Sequence, residues 1–356
     1  MARSAILPIQ RPTWLPTYLP ELQGLRGLAI LGVVLYHCHP RLEGTRIYYA
    51  SLWGWSGVIV FFALSGFLIT AGLLETRDEP HFLHKFHARR TLRIWPVYAL
   101  VLVVVYLNAP WFIGPGIWEA TKTAPWLAYI FFVQNLFHLT LPPAIGPTWA
   151  LAIEEQYYFL WAPAVRFLRR PWMLAALLAL ALIGSPLLRL SHYAWLTPTH
   201  TLIHLDGIAL GSLLALGLYT LKLRRRAWLM LGLACFAGGF GAAATVAGGT
   251  AFLDSALAVG FTGAVLAAIA STGARNPLNA VLRRGPLAFY GRISYGLYMI
   301  HIMVFVFFGG FDLRMDRYGM ACNLAVVGFR LAVSTALATA LWYGFESQIL
   351  KLKRYF

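Results

Sequence analysis

Charge is scarce in this sequence. Only 12% of its 356 residues are Asp, Glu, Lys or Arg, about half the roughly 25% of an ordinary soluble domain. That is too little to coat a globular surface. Acid is scarcest: 13 Asp and Glu face 29 Lys and Arg, a formal net charge of +16. Cysteine is nearly missing. Cys38, Cys235 and Cys322 form no CxxC pair and no zinc-type spacing, which argues for neither a disulfide framework nor a structural metal. A Gly-x-Ser-x-Gly nucleophile elbow is absent, so a serine nucleophile is disfavoured. There is no internal repeat, low-complexity linker or sizeable polar domain. Residues 1–21 carry Pro8, Pro12, Pro16 and Pro20 and no apolar core. They read as a cytoplasmic or interfacial tail rather than a secretory leader.

What is abundant is apolar: 59% of the residues, with a mean hydropathy of +0.66. A run of about 18 apolar residues can cross a bilayer. Such segments fall at roughly 22–38, 53–74, 94–110, 149–165, 172–188, 201–221, 228–246, 253–272, 286–309 and 321–343. The expected fold is therefore an all-α integral membrane protein of about ten transmembrane helices. Residues 22–345 form one membrane domain and 346–356 a basic cytoplasmic tail. A shorter apolar stretch, 125–139, is bracketed by Pro125 and by Pro142-Pro143 and Gly146-Pro147, which break helices.

The basic residues gather between the apolar runs. One cluster holds Arg77, Lys85, Arg89, Arg90 and Arg93, and the next Arg166, Arg169 and Arg170. Lys222 and Arg224 to Arg226 follow, then Arg275, Arg283, Arg284 and Arg292, and finally Lys351, Lys353 and Arg354. Such clusters mark cytoplasmic loops rather than a nucleic-acid surface. Ten spans put all five on one side together with both termini. An eleventh span at 125–139 would break that pattern, so this stretch reads as a re-entrant or interfacial helix on the outer face.

Ionisable groups inside apolar helices are costly, and each is a functional candidate. Arg26 and His37 lie on the first segment, eleven residues apart. That is about 16 Å along a helix and close to three turns, so they share a face. Arg26 could also be a snorkelling anchor, and His37 an interface residue. Arg89, Arg90 and Arg93 fit an ordinary positive-inside loop as well as an anion site. Glu154 and Glu155 open the fourth segment, where carboxylates favour the helix dipole; a cap explains one, and the other, Glu154, is free for chemistry. Ser65-Gly66 suits close helix packing. Trp149, Tyr157 and Tyr158 suit an aromatic belt. Ser294, Tyr298 and His301 share one inward helix face and are expected to hydrogen-bond neighbouring helices. Mutual pairing is the simplest account of Asp206, Arg330 and Glu346.

Five blocks in order resemble the acyltransferase-3 family of membrane O-acyltransferases. They are Gly24-Leu25-Arg26-Gly27-Leu28-Ala29 with Tyr36-His37, Gly57 to Ile69, Phe86 to Tyr98, Thr148 to Tyr158, and Ile293-Ser294-Tyr295 to Tyr298 and His301. Departures stand at Ile59, Ala150, His204 and Ser347, and bear on the acceptor more than on the family. The resemblance makes 22–345 an acyltransferase domain in a bacterial plasma membrane. It implies transfer of an acyl group, acetyl first, from cytoplasmic acyl-CoA to a hydroxyl on a carbohydrate or other extracytoplasmic or membrane-associated acceptor. No metal is implied. His37 would be the general base, its ordinary pKa of about 6.5 suiting that task. Glu154 would assist it. Arg26, Arg89, Arg90 and Arg93 would clamp the CoA phosphates, with Ser65 lining the donor path. Trp149, Glu155 and Tyr158 would meet the acceptor. A transporter or flippase of a lipid-linked or small sugar would also explain buried Arg, His and Glu and broken helices, but has no need of a phosphate clamp aligned with a base.

Overall fold

The computed structural model describes residues 10–112, 126–137, 143–191, 193–246, 251–308 and 319–356. Among them every regular element is a helix: α1 (Pro20–His37), α2 (Arg46–Leu52), α3 (Gly57–Thr76), α4 (Phe82–Phe112), α5 (Trp126–Ile130), α6 (Thr148–Phe167), α7 (Pro171–Ser191), α8 (Leu205–Thr220), α9 (Arg225–Thr245), α10 (Leu253–Ser271), α11 (Pro277–Leu282), α12 (Gly285–Phe307) and α13 (Met320–Leu341). The last helix runs on through a π-turn, Trp342–Glu346, to Tyr355.

Seven helices among the described residues are long and apolar enough to cross a membrane: Arg46–Thr76, Phe82–Leu107, Pro171–Ser191, Arg225–Thr245, Leu253–Ser271, Gly285–Phe307 and Met320–Tyr355. The chain is thus a multi-pass membrane protein. Three of the ten expected segments fall outside the seven for visible reasons. α1 carries Glu21, Gln23, Arg26 and His37; α6 carries Glu154, Glu155 and Gln156; α8 is apolar but short. The segment near 125–139 contains only the five-residue α5 among its described residues; 125, 138 and 139 lie outside them.

The chain forms two compact units. The first comprises Met1–Leu25, Ile59–Phe86 and Ile153–Ala288. Its centre is the crossing of α3 and α8, where backbones touch because side chains are missing. A methyl group added at Gly66 would strike the carbonyl oxygen of Ile208, and one at Gly211 that of Ala63. Small residues at such crossings replace the hydrophobic driving force that lipid cannot supply. Hydroxyls pin the crossing: Ser212 Oγ donates to the Gly66 carbonyl at 3.2 Å, and Tyr157 and Ser212 hydroxyls meet at 2.7 Å. Trp161 Nε1 donates to Thr70 Oγ1 at 2.8 Å.

The second unit comprises Arg26–Val58, His87–Ala152 and Phe289–Phe356. Here Gly32 and Gly54 let α1 meet the turn before α3. The irregular stretch after α5 is tied into protein, the condition under which non-helical backbone survives in a membrane protein. Tyr98 donates to the Tyr129 carbonyl at 2.9 Å, and the buried Gln134 amide donates to the Thr148 carbonyl at 3.2 Å. Phe132 takes a left-handed φ of 53°, with its ring stacked 4.7 Å from Tyr98. Two tyrosines of α12 reach other elements: Tyr295 donates to the Ile94 carbonyl at 2.6 Å and Tyr298 to that of Pro147 at 2.7 Å.

Candidate functional site

The second unit gathers most of the candidate residues. Arg26 and His37 lie on one unbroken helix, α1, so the spacing argued from sequence holds in the fold. His37 is its last residue. Its Nδ1 lies 2.8 Å from the Val33 carbonyl and 3.3 Å from Nε2 of His301 on α12. The two rings are 5.0 Å apart at 61°. His301 is fully buried, and its own Nδ1 meets the carbonyls of Tyr298 at 2.8 Å and Leu297 at 3.1 Å.

A basic cluster in the same unit includes the carboxylate of Glu346. Arg93 Nη1 lies 2.8 Å from Glu346 Oε1, with the pair 18% and 2% exposed. The guanidinium is flanked by the rings of Trp342 at 5.7 Å and Tyr295 at 5.9 Å. Arg26 and Lys353 are also within electrostatic reach of Glu346, and Arg89, Arg90 and Arg93 within reach of Lys353. Arg89 Nη2 donates to the main-chain oxygen of Phe356 at 2.8 Å. The four arginines singled out in the sequence therefore converge, joined by Lys353, which the sequence reading left in the tail. Among the described residues the charges within reach of Lys353 are mostly cations.

The first unit holds Ser65, Glu154, Glu155 and Tyr158. Ser65 Oγ donates to Glu154 Oε1 at 2.7 Å and Tyr158 OH to Glu154 Oε2 at 3.1 Å. Both oxygens of a half-buried carboxylate are thus met by hydroxyls. Glu155 is half-buried one residue further along α6, and Trp149 is half-buried near the start of that helix in the second unit.

Two sequence expectations are corrected. Glu154 and Glu155 do not cap a helix. α6 begins at Thr148, directly after Pro147, and its first turn holds no acid. Asp206, Arg330 and Glu346 do not pair with one another. Asp206 takes Arg189 at 2.7 Å and Glu346 takes Arg93, while the Arg330 guanidinium lies 4.7 Å from the Phe305 ring. Sequence reasoning missed Glu346 as the partner of Arg93, and His301 as the neighbour of His37. The only signal for the latter was its position on a polar face of α12.

An apolar cavity of about 730 Å³ also opens in this unit, lined by residues such as Leu100, Val104, Ile300, Val304, Phe308 and Leu341. Every lining side chain is hydrocarbon or thioether, so it offers nothing to hold a phosphate or a sugar hydroxyl. Among the described residues no group of three or more His, Cys, Asp or Glu is placed to hold a metal.

The chain matches the acyltransferase domain family over residues 19–344. It is similar to the peptidoglycan O-acetyltransferase OatA of Listeria monocytogenes, 34% identical over 169 residues, which cover 44% of this chain and 25% of that protein. It is likewise 34% identical to the O-acetyltransferase OatA of Staphylococcus aureus over 165 residues, covering 43% of this chain and 26% of the relative. The match thus spans about a quarter of the length of these relatives. No solved structure matches the chain.

Proposed function

The chain belongs to the acyltransferase domain family, and from that premise we propose that it is a membrane O-acyltransferase. It moves an acyl group, acetyl in the first instance, from cytoplasmic acyl-CoA to a hydroxyl of an extracytoplasmic or membrane-associated carbohydrate. The observation that supports this reading is the cluster in which Arg93, Arg26 and Lys353 reach Glu346 and Arg89, Arg90 and Arg93 reach Lys353, in the unit where α1 also presents His37. CoA carries several phosphate charges, and guanidinium forks suit them. The length of α1 between Arg26 and His37, about 16 Å, is the gap that the pantetheine arm spans.

His37 removes the proton of the acceptor hydroxyl as its oxygen attacks the thioester carbonyl. Glu154, held by Ser65 and Tyr158, binds the acceptor together with Glu155. The carbohydrate nature of that acceptor follows the peptidoglycan named for the Listeria relative. Adding α1, α6 and α8 to the seven long apolar helices gives ten spans, with both termini on the cytoplasmic face of a bacterial plasma membrane.

The test is release of free CoA thiol by purified protein in detergent, with acetyl-CoA and a panel of sugar acceptors. Release that requires both an acceptor and His37, and is lost in His37→Ala, is expected. Well-folded protein that neither binds acetyl-CoA nor releases thiol overturns the reading in favour of a transporter.

A further inference from the structure

The contacts of half-buried His37 and buried His301 fix more than their distance. His301 Nδ1 meets two carbonyl oxygens, of Tyr298 and Leu297. Carbonyl oxygens only accept hydrogen bonds, so that nitrogen carries the proton. The Nε2 of neutral His301 is then a lone pair, and it faces His37 Nδ1 at 3.3 Å. His37 Nδ1 faces a second acceptor, the Val33 carbonyl, at 2.8 Å. With acceptors on both sides, His37 Nδ1 must hold a proton. In a neutral ring the lone pair then sits on Nε2.

We propose that His301 is a positioning residue for the acyl transfer, fixing His37 in the tautomer that presents Nε2 as the base. This rests on the proposed role of His37. The nitrogen that carries the proton is set by the hydrogen bond the other ring nitrogen makes. The Val33 carbonyl supplies half of that bond from within α1 itself. His301 supplies the other half from α12, and with it the ring's rotation about its χ angles. Its own geometry leaves no choice of role. Fully buried and held against backbone, with the Phe305 ring 5.8 Å away, it accepts from His37 and cannot compete for the substrate.

The step balances. The acceptor O–H bond breaks as its proton passes to His37 Nε2, and the oxygen bonds to the acyl carbon. The thioester C–S bond breaks, and the imidazolium returns the proton to the departing thiolate. While His37 is charged, its Nδ1–H points at the His301 lone pair, which strengthens that hydrogen bond.

The experiment uses the full chain in nanodiscs with imidazole-¹⁵N histidine, the His37 signals being those lost in His37→Gln. Wild type should show a protonated Nδ1 and an unprotonated Nε2 at His37; a protonated Nε2 overturns the proposal without any variant. His301→Leu should mix the two tautomers and lower kcat about 10- to 100-fold, the range for groups that orient a functional histidine, with KM for acetyl-CoA unchanged. His301→Gln, which keeps an acceptor near the Nε2 position, should recover most of both. Full activity in His301→Leu, with His37→Gln inactive, overturns this proposal alone. Full activity in His37→Gln overturns the reading beneath it.

Discussion

An arginine is buried against a carboxylate in each unit, and the two pairs, Arg189 with Asp206 and Arg93 with Glu346, are built differently. In the first unit Arg189 is closed. Its Nη2 donates to Asp206 Oδ2 at 2.7 Å and to Ser255 Oγ at 2.6 Å, its Nε to the Ala251 carbonyl at 2.6 Å, and its Nη1 to the Ile203 carbonyl. Asp206 in turn receives Ser255 Oγ at 2.5 Å and its neighbour's backbone N–H at 3.1 Å. In the second unit Arg93 touches Glu346, yet neither Glu346 oxygen receives an aligned hydrogen bond, and the surrounding charges are mostly cations. A pair whose donors and acceptors are all used is architecture. A pair left geometrically unfinished, with mostly cations about it, is the one that the proposed function assigns to a phosphate.

The sharpest way to break this contrast is Arg189→Leu. It strands Asp206 in the protein interior, where an uncompensated charge costs about 3–5 kcal/mol. Folded yield and melting temperature in detergent should collapse. A stable Arg189→Leu protein would mean the closed pair is not architectural. Arg93→Met comes next. Loss of a charged hydrogen bond to CoA is worth roughly 1.5–3 kcal/mol, so acetyl-CoA should bind about 10- to 100-fold more weakly by calorimetry, with a smaller loss of melting temperature than Arg189→Leu. Equal effects of the two variants on folding, with CoA affinity untouched, would erase the distinction. The smallest effect has the opposite sign. Glu346→Gln removes the carboxylate that faces Arg93 and should tighten acetyl-CoA by a few-fold at low salt, the gain fading as salt screens it. Weaker binding would show that Glu346 organises the arginines rather than opposing the ligand.

The sequence exposed what depends on neighbours along the chain. Each of the ten apolar runs overlaps one of the helices, and the spacing of Arg26 and His37 needed only the geometry of one helix. The breakers at Pro142-Pro143 and Gly146-Pro147 marked where α6 could begin; the error over Glu154 and Glu155 came from treating them as the first turn. What stayed hidden depends on which helices meet. Arg93 is remote in sequence from Glu346, and so is His37 from His301. Without a repeat or a motif to pair them, an arginine in an apolar run fits a topology anchor as well as a ligand. The polar load of α1 and α6 shows the same conflict from the other side: the residues that make them useful also make them poor membrane segments by composition.

The π-turn at Trp342–Glu346 carries a consequence for how this chain can change. Such a turn holds one residue more than an α-helix needs, so everything beyond it is out of phase with α13. Excising that residue would rotate the tail by about 100°, swinging Glu346 and Lys353 away from Arg93 while α13 kept its seat. A single-residue insertion or deletion at the π-turn would therefore change which charges face Arg93.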